Sequence, residues 1–268
     1  VIGTRPLPLR RKNNQLIKIR TGIVNYLNTK PLLYGIEHSQ VMQEIELIPG
    51  YPAEIASMLE RGEIDLGLVP VSAIPGMPDG AIISDYCIGC DGPVASVCLF
   101  SEVPIEKVEK VLMDYQSRTS VQLAKILLKE YWKSSAVFIA AQPDFRSEIR
   151  GTTAALVIGD RAFEQRNVSP FIYDLGEAWK IHTGLPFVFA AWVSNKKLNT
   201  DFIKSFNEAN KWGIEHIPDV VKQHSTNLYD LKKYYTNCIS YLLDENKKKG
   251  LKYFFEKGTI YTKLPGDS

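Results

Sequence analysis

The chain has 268 residues, of which 45% are hydrophobic and 23% charged, enough apolar content for one large domain or two smaller ones. A formal charge of +2 argues against a nucleic-acid partner, and the basic runs at residues 10–12 and 247–249 read as solvated surface. No apolar run approaches the ~20 residues that a membrane helix needs.

Residues 1–17 are basic and proline-bearing, without the apolar core of a signal peptide, and are expected to lie outside the fold as an extension. A cytoplasmic location is the expectation. From residue 17 an alternating and then apolar run predicts a first strand ending near Val24. Pro31 suits the first turn of a helix, which puts Asn28 and Thr29 at the helix mouth beyond that strand. Free backbone N–H groups and the positive end of the helix dipole make such a mouth a good place for a carboxylate.

A second strand is expected over 41–49, a helix over 52–61 closed by Gly62, and a third strand over 64–69 that runs straight into Ser72. This alternation predicts a mostly parallel sheet with Asn28, Thr29 and Ser72 at its carboxyl edge, where open α/β sheets meet ligands. A Gly-Pro turn at 92–93 then feeds an apolar strand interrupted by the hydroxyl of Ser96. Thr119 followed by Gln122 has the spacing of a capping box, so a helix should begin in the run Ser117, Arg118, Thr119, Ser120. Arg118 there either binds a carboxylate in a forked pair or is tied to Asp114 or Asp144.

The strand over 154–158 ends in Gly159 and Asp160; the aspartate either caps the next helix or faces a ligand. Residues 174–192 carry an acidic turn, a short amphipathic helix, the break Thr183-Gly184 and an apolar run beginning at Pro186. The remainder is mainly helical, with a helix from Asp201, a short strand over 239–243 and a helix over 245–257 closed by Gly258.

Four cysteines and four histidines offer little chemistry by spacing. Cys87 and Cys90 have the interval of a redox pair or half a zinc site, but no second pair accompanies them, so buried thiols and no metal are expected. Two strand–turn–helix sets bracketed by long apolar segments imply a two-lobed α/β fold of the periplasmic-binding-protein type II kind. Two hinge crossings would link the lobes, with a ligand cleft between them. The expected division is residues 18–95 plus 190–268 for one lobe and 96–189 for the other, with Val94–Phe100 and Pro186–Trp192 as the crossings and the corner Thr183-Gly184 facing the ligand.

From Ile19 onward the sequence resembles the chorismate dehydratases of the futalosine route to menaquinone. The resemblance rests on blocks in a fixed order: residues 22–32, 62–72, 92–101, 114–123 with Ser-Arg-Thr-Ser, 158–162 and 174–192. Dihydroxynaphthoate synthases share the fold, but the blocks Tyr-Leu-Asn-Thr at 26–29 and Thr-Gly-Leu-Pro-Phe-Val-Phe at 183–189 favour the dehydratase. The resemblance implies a cofactor-free lyase that removes water from chorismate, a small dicarboxylate, to give 3-[(1-carboxyvinyl)oxy]benzoate. It implies Asn28 and Ser96 closest to the chemistry. Thr29, Ser72, Ser117, Arg118, Thr119, Ser120, Asp160, Thr183 and Gly184 would hold the dianion. These blocks hold almost no general-base candidate beyond Asp160 and His182, and His182 has solvent as its alternative. A solute-binding protein of the same fold, or a regulator's effector domain, would use the same helix starts without catalysis. The absence of a signal peptide or lipidated cysteine is expected to favour the enzyme over the binder, and residues 1–17 are too short for the helix-turn-helix that a regulator would carry.

Overall fold

The computed structural model describes residues 11–12, 15–16 and 18–261. Most of the expected N-terminal extension lies outside the described residues; within it a small hairpin pairs β1 (Arg11–Lys12) with β2 (Gln15–Leu16).

The chain then builds β3 (Ile19–Val24), α1 (Lys30–Glu37), α2 (Val41–Glu44), β4 (Ile45–Gly50), α3 (Pro52–Glu60), β5 (Leu66–Pro70) and β6 (Ala81–Cys90). It leaves this sheet for β7 (Val97–Ser101), β8 (Lys110–Met113), α4 (Arg118–Glu130), β9 (Val137–Ala140), β10 (Thr153–Ile158), α5 (Arg161–Arg166) and β11 (Phe171–Asp174). It returns through α6 (Leu175–Thr183) and β12 (Phe187–Ser194). The last stretch holds α7 (Thr200–Glu215), α8 (Ile217–Gln223), α9 (Leu231–Lys233), a π-helical turn at Tyr234–Cys238, β13 (Ser240–Leu242) and α10 (Glu245–Tyr261).

One sheet has the order β13-β6-β12-β5-β3-β4 and the other β11-β7-β10-β8-β9. Both are mixed, not mostly parallel. The strand–helix repeats give the parallel pairs β3/β4, β3/β5, β8/β9 and β8/β10. The strands adjoining the crossings, β6, β7, β11 and β12, join antiparallel.

Two expected crossings turn out to be ordinary strands. β7 pairs along its length with β10 and β11, and β12 pairs along its length with β5 and β6. The chain crosses instead at residues 91–96 and between Asp174 and Phe187, so the second boundary falls ahead of the expected 189/190. Hydrophobic runs mark both kinds of segment alike, because a strand buried on both faces and a buried crossing are equally apolar. Residues 41–44 form a helical turn before β4, and Gly258 lies inside α10 instead of ending it. β6 was not anticipated; its burial alternates only in part, which hides it from a period-2 pattern.

Cys87 and Cys90 both lie on β6, three residues apart. An odd interval on a strand sends the two side chains to opposite faces. They therefore neither pair nor share a ligand. All four cysteines are free and buried, burial pushes the Cys87 thiol up to about 12, and no group of three or more metal-ligating side chains occurs among the described residues.

Helix α1 packs on α7 through a glycine pair. A Cβ at Gly35 would stand 1.9 Å from the carbonyl oxygen of Ala209 and 2.8 Å from the nitrogen of Gly213. Neither helix can accept even a methyl group without separating. Gly35→Ala is expected to lose about 1–3 kcal/mol of stability, as overpacking against backbone does, read from urea unfolding midpoints.

Candidate active site

A cavity lies where the carboxyl ends of β3, β5 and β10 meet the start of α4. Val24, Leu68, Ile88, Val97 and Phe189 supply its apolar wall. Its polar wall comes from Tyr26, Asn28, Thr29, Ser117 and Ser120. Among the described residues, no lysine, arginine, histidine or carboxylate side chain lines it.

Local sequence explains the polar wall. After β3 a 3-10 turn, Leu27–Thr29, leads into α1, whose second residue is Pro31. The Thr29 hydroxyl donates to Asn28 Oδ1 at 3.1 Å, which leaves the Asn28 amide N–H groups to face a ligand. Ser117, not Thr119, is the N-cap of α4: its Oγ accepts the Ser120 N–H at 3.0 Å and donates to Ser120 Oγ at 3.0 Å. Two hydroxyls and the positive end of a 13-residue helix thus converge on one side of the cavity.

Of the eleven expected site residues, Asn28, Thr29, Ser117 and Ser120 line the cavity. Ser96 is fully buried and is not among the lining residues, although its neighbours Val94 and Val97 and its backbone partner Gly159 are. Its hydroxyl accepts a 2.7 Å hydrogen bond from the phenol of Tyr234.

Four others join one lobe to the other. Thr119 Oγ1 accepts the Ser72 N–H at 3.1 Å and donates to Ser72 Oγ at 3.3 Å. Arg118 forks as expected, but onto Glu60 at 2.8 Å and Ser57 at 2.8 Å of α3, so its charge is spent on an ion pair away from the cavity wall. Asp160 makes no side-chain cap to its own helix; its Oδ1 accepts the Leu27 N–H at 3.1 Å from the other lobe.

Thr183 and Gly184 are a correction. The Thr183 hydroxyl donates to the Trp179 carbonyl and accepts the Leu185 N–H, and Gly184 ends α6 in the left-handed conformation at φ 73°. Both serve the helix end, and neither lines the cavity. His182 sits 3.5 Å from Glu130 and is also outside the wall.

Tyr26, Gln116 and Arg161 form a contact that spacing did not reveal. The Tyr26 phenol donates to Gln116 Oε1 at 2.5 Å, and Arg161 donates to the same oxygen at 2.8 Å while pairing with buried Asp114 at 2.6 Å. The Tyr26 ring covers Gly159, where any side chain would meet it at 3.2 Å and φ is 67°. Burial raises the Tyr26 phenol, so it remains a neutral donor, the nearby Arg161 charge acting the other way. Three further tyrosines, Tyr234, Tyr235 and Tyr241, are buried, and the Tyr235 hydroxyl has no partner among the described residues. Nothing in a helical C-terminal pattern would have singled them out.

Two lobes with mixed sheets, two crossings and a cavity between helix starts define a periplasmic-binding-protein-like architecture. Solved structures agree. Protein AF1704 from Archaeoglobus fulgidus superposes with a TM-score of 0.71 at 15% identity, covering 91% of this chain and 98% of that one. The Candida albicans CA3427 gene product, described as having the generic periplasmic binding protein fold, gives 0.60 at 14% identity over 93% and 92%. The aliphatic sulphonate binding protein SsuA from Escherichia coli gives 0.58 at 15% identity over 92% and 94%.

Within that architecture the chain belongs to the menaquinone-biosynthesis family, whose profile matches residues 19–259. It is 27% identical over 264 residues to the chorismate dehydratase of Thermus thermophilus, covering 88% of this chain and 93% of that one. No helix among the described residues is long and apolar enough to cross a membrane.

Burial raises the Asp160 carboxyl above its ordinary 3.8, the Leu27 N–H opposing this. A raised native value means that this group's contribution is fully present below the unfolded value and is lost as pH rises through the folded one. Asp160→Asn keeps an oxygen for the Leu27 N–H and removes the charge. Its stability relative to the wild type is expected to improve as pH rises from about 4 through the folded value and then to level off, as measured by urea unfolding across that range.

Proposed function

We propose that the protein is a chorismate dehydratase, a carbon–oxygen lyase forming 3-[(1-carboxyvinyl)oxy]benzoate and water. The observation that carries the reading is the cavity wall itself: hydrogen-bond donors from helix starts of both lobes, and no lysine, arginine, histidine or carboxylate side chain among the described lining residues. The family and the 27% identical relative support it.

In this reaction the ring C–H bond beside the carboxylate-bearing C=C breaks first in logic. Its electron pair delocalises toward that carboxylate as an enolate-like anion. The ring C–O bond to the hydroxyl then breaks, the electron pair completes the aromatic ring, and hydroxide with the abstracted proton leaves as water. The enolpyruvyl carboxylate of the substrate is placed to take the proton, which suits a wall without a protein base.

Ser117, Ser120 and the dipole of α4 hold one carboxylate, and Thr29 with the first turn of α1 flanks the other. Asn28 donates from its side-chain amide to the departing hydroxyl, its oxygen being occupied by Thr29. Ser96 donates toward a carboxylate from the hinge. Thr119–Ser72, Arg118–Glu60 and Asp160–Leu27 close the lobes over the bound dianion and exclude water. Removing water from the site strengthens each of these donors, since no competing solvent remains.

Incubation with chorismate should produce an aromatic product seen by ultraviolet absorbance and mass. Asn28→Ala should lower kcat about 100-fold, the scale of a lost transition-state donor, with an unchanged circular dichroism spectrum. Near-normal turnover by this variant would remove Asn28 from the chemistry, and tight binding of chorismate without product would favour a solute-binding role instead. Scattering should show a smaller radius of gyration with chorismate than without; identical profiles would count against closure.

A further inference from the structure

Both proposed catalytic residues are held from behind by tyrosines of one C-terminal segment. Tyr234 donates to Ser96 Oγ at 2.7 Å, with both side chains fully buried. Tyr241, on β13, donates to the Asn28 carbonyl oxygen at 3.0 Å and is itself buried. Between them, the π-helical turn Tyr234–Cys238 sets the first hydroxyl against the hinge, and π-turns concentrate at functional sites. We propose that Tyr234 and Tyr241 are positioning residues for the dehydration, a role that rests on the reading above and deepens it.

The argument is one of hydrogen-bond bookkeeping. An O···O pair carries one proton, and the phenol supplies it, so the Ser96 hydroxyl keeps its own proton for another acceptor. The Ser96 carbonyl is already taken by the Gly159 N–H at 2.9 Å. The serine is thereby turned into a fixed donor, and accepting from Tyr234 polarises its O–H further. Tyr241 acts on the other side of the cavity. Its bond holds the 3-10 turn that carries Asn28, while Thr29 fixes the orientation of the asparagine side chain. Burial keeps both phenols protonated, so neither loses its donor role near neutrality.

Tyr235 supplies an internal comparison. It occupies the same turn, is buried, and its hydroxyl bonds to nothing among the described residues. Tyr→Phe there removes a desolvated group and touches neither Ser96 nor Asn28.

The experiment is steady-state turnover of chorismate by the full chain carrying Tyr234→Phe, Tyr241→Phe or Tyr235→Phe, with thermal melts of each. Tyr234→Phe and Tyr241→Phe should each lower kcat about 10-fold, near 1.4 kcal/mol of barrier, with KM within about twofold. Tyr235→Phe should keep kcat and melt at the wild-type temperature or higher. In a Ser96→Ala background Tyr234→Phe should cost nothing more, since its object is gone. An equal loss in both backgrounds, a raised KM at unchanged kcat, or the same loss in Tyr235→Phe would each overturn the positioning role. Absence of turnover by the wild type would instead remove the underlying reading, and the inference with it.

Discussion

The carboxylate of Asp174 is the point on which the arrangement depends. It accepts the N–H groups of Val94 and Ala95, on the outgoing crossing, at 3.0 and 2.7 Å. It also accepts those of Gly176 and Glu177, at the start of α6 on the return crossing, at 3.0 and 3.1 Å. One buried side chain therefore ties both crossings to each other and caps a helix at the same time. Leaving such donors buried and unpaired is expensive, of order 1–3 kcal/mol each. The same bonds hold Ala95 at φ 66°, a conformation that a residue with a side chain adopts at some cost. Ser96, whose hydroxyl is bonded by Tyr234, follows directly.

From that hinge the electrostatics of the cavity follow. Its nearest arginines are already neutralised, Arg118 by Glu60 and Arg161 by Asp114. What faces a ligand is a set of fixed dipoles: hydroxyls, an amide and the start of α4. In a dry site preorganised dipoles stabilise charge without having to reorient, and they leave the lobe-to-lobe ion pair free to act as a latch. The separation of tasks is clean. Charge joins the lobes; dipoles line the cavity.

How much of this was legible depends on the range over which each feature is encoded. The helix mouth after β3 could be read because Pro31 and the polar residues before it are neighbours in sequence. The start of α4 could be read for the same reason, although Ser117 won the cap from Thr119, and Gln122 lies within the helix beside Gly258 instead of completing a capping box. Arg118 was legible as a forked donor but not as to its partner, since Glu60 is brought to it only by closure of two lobes. Thr183 and Gly184 end α6 and do not line the cavity, and a polar break before an apolar strand looks the same whether it ends a helix or edges a site.

The sequence alone determined the two-lobed α/β class, the family, and the polar turns that give the cavity most of its polar wall, since periodicity, caps and turn chemistry act between near neighbours. Tertiary structure alone decided which strands cross, that both sheets are mixed, and what stands behind the reacting groups. Tyr241 meets the turn of Asn28 across 213 residues and Tyr234 meets Ser96 across 138. No local pattern specifies such pairs. They form because packing of the C-terminal segment against the hinge leaves each phenol one buried acceptor to satisfy.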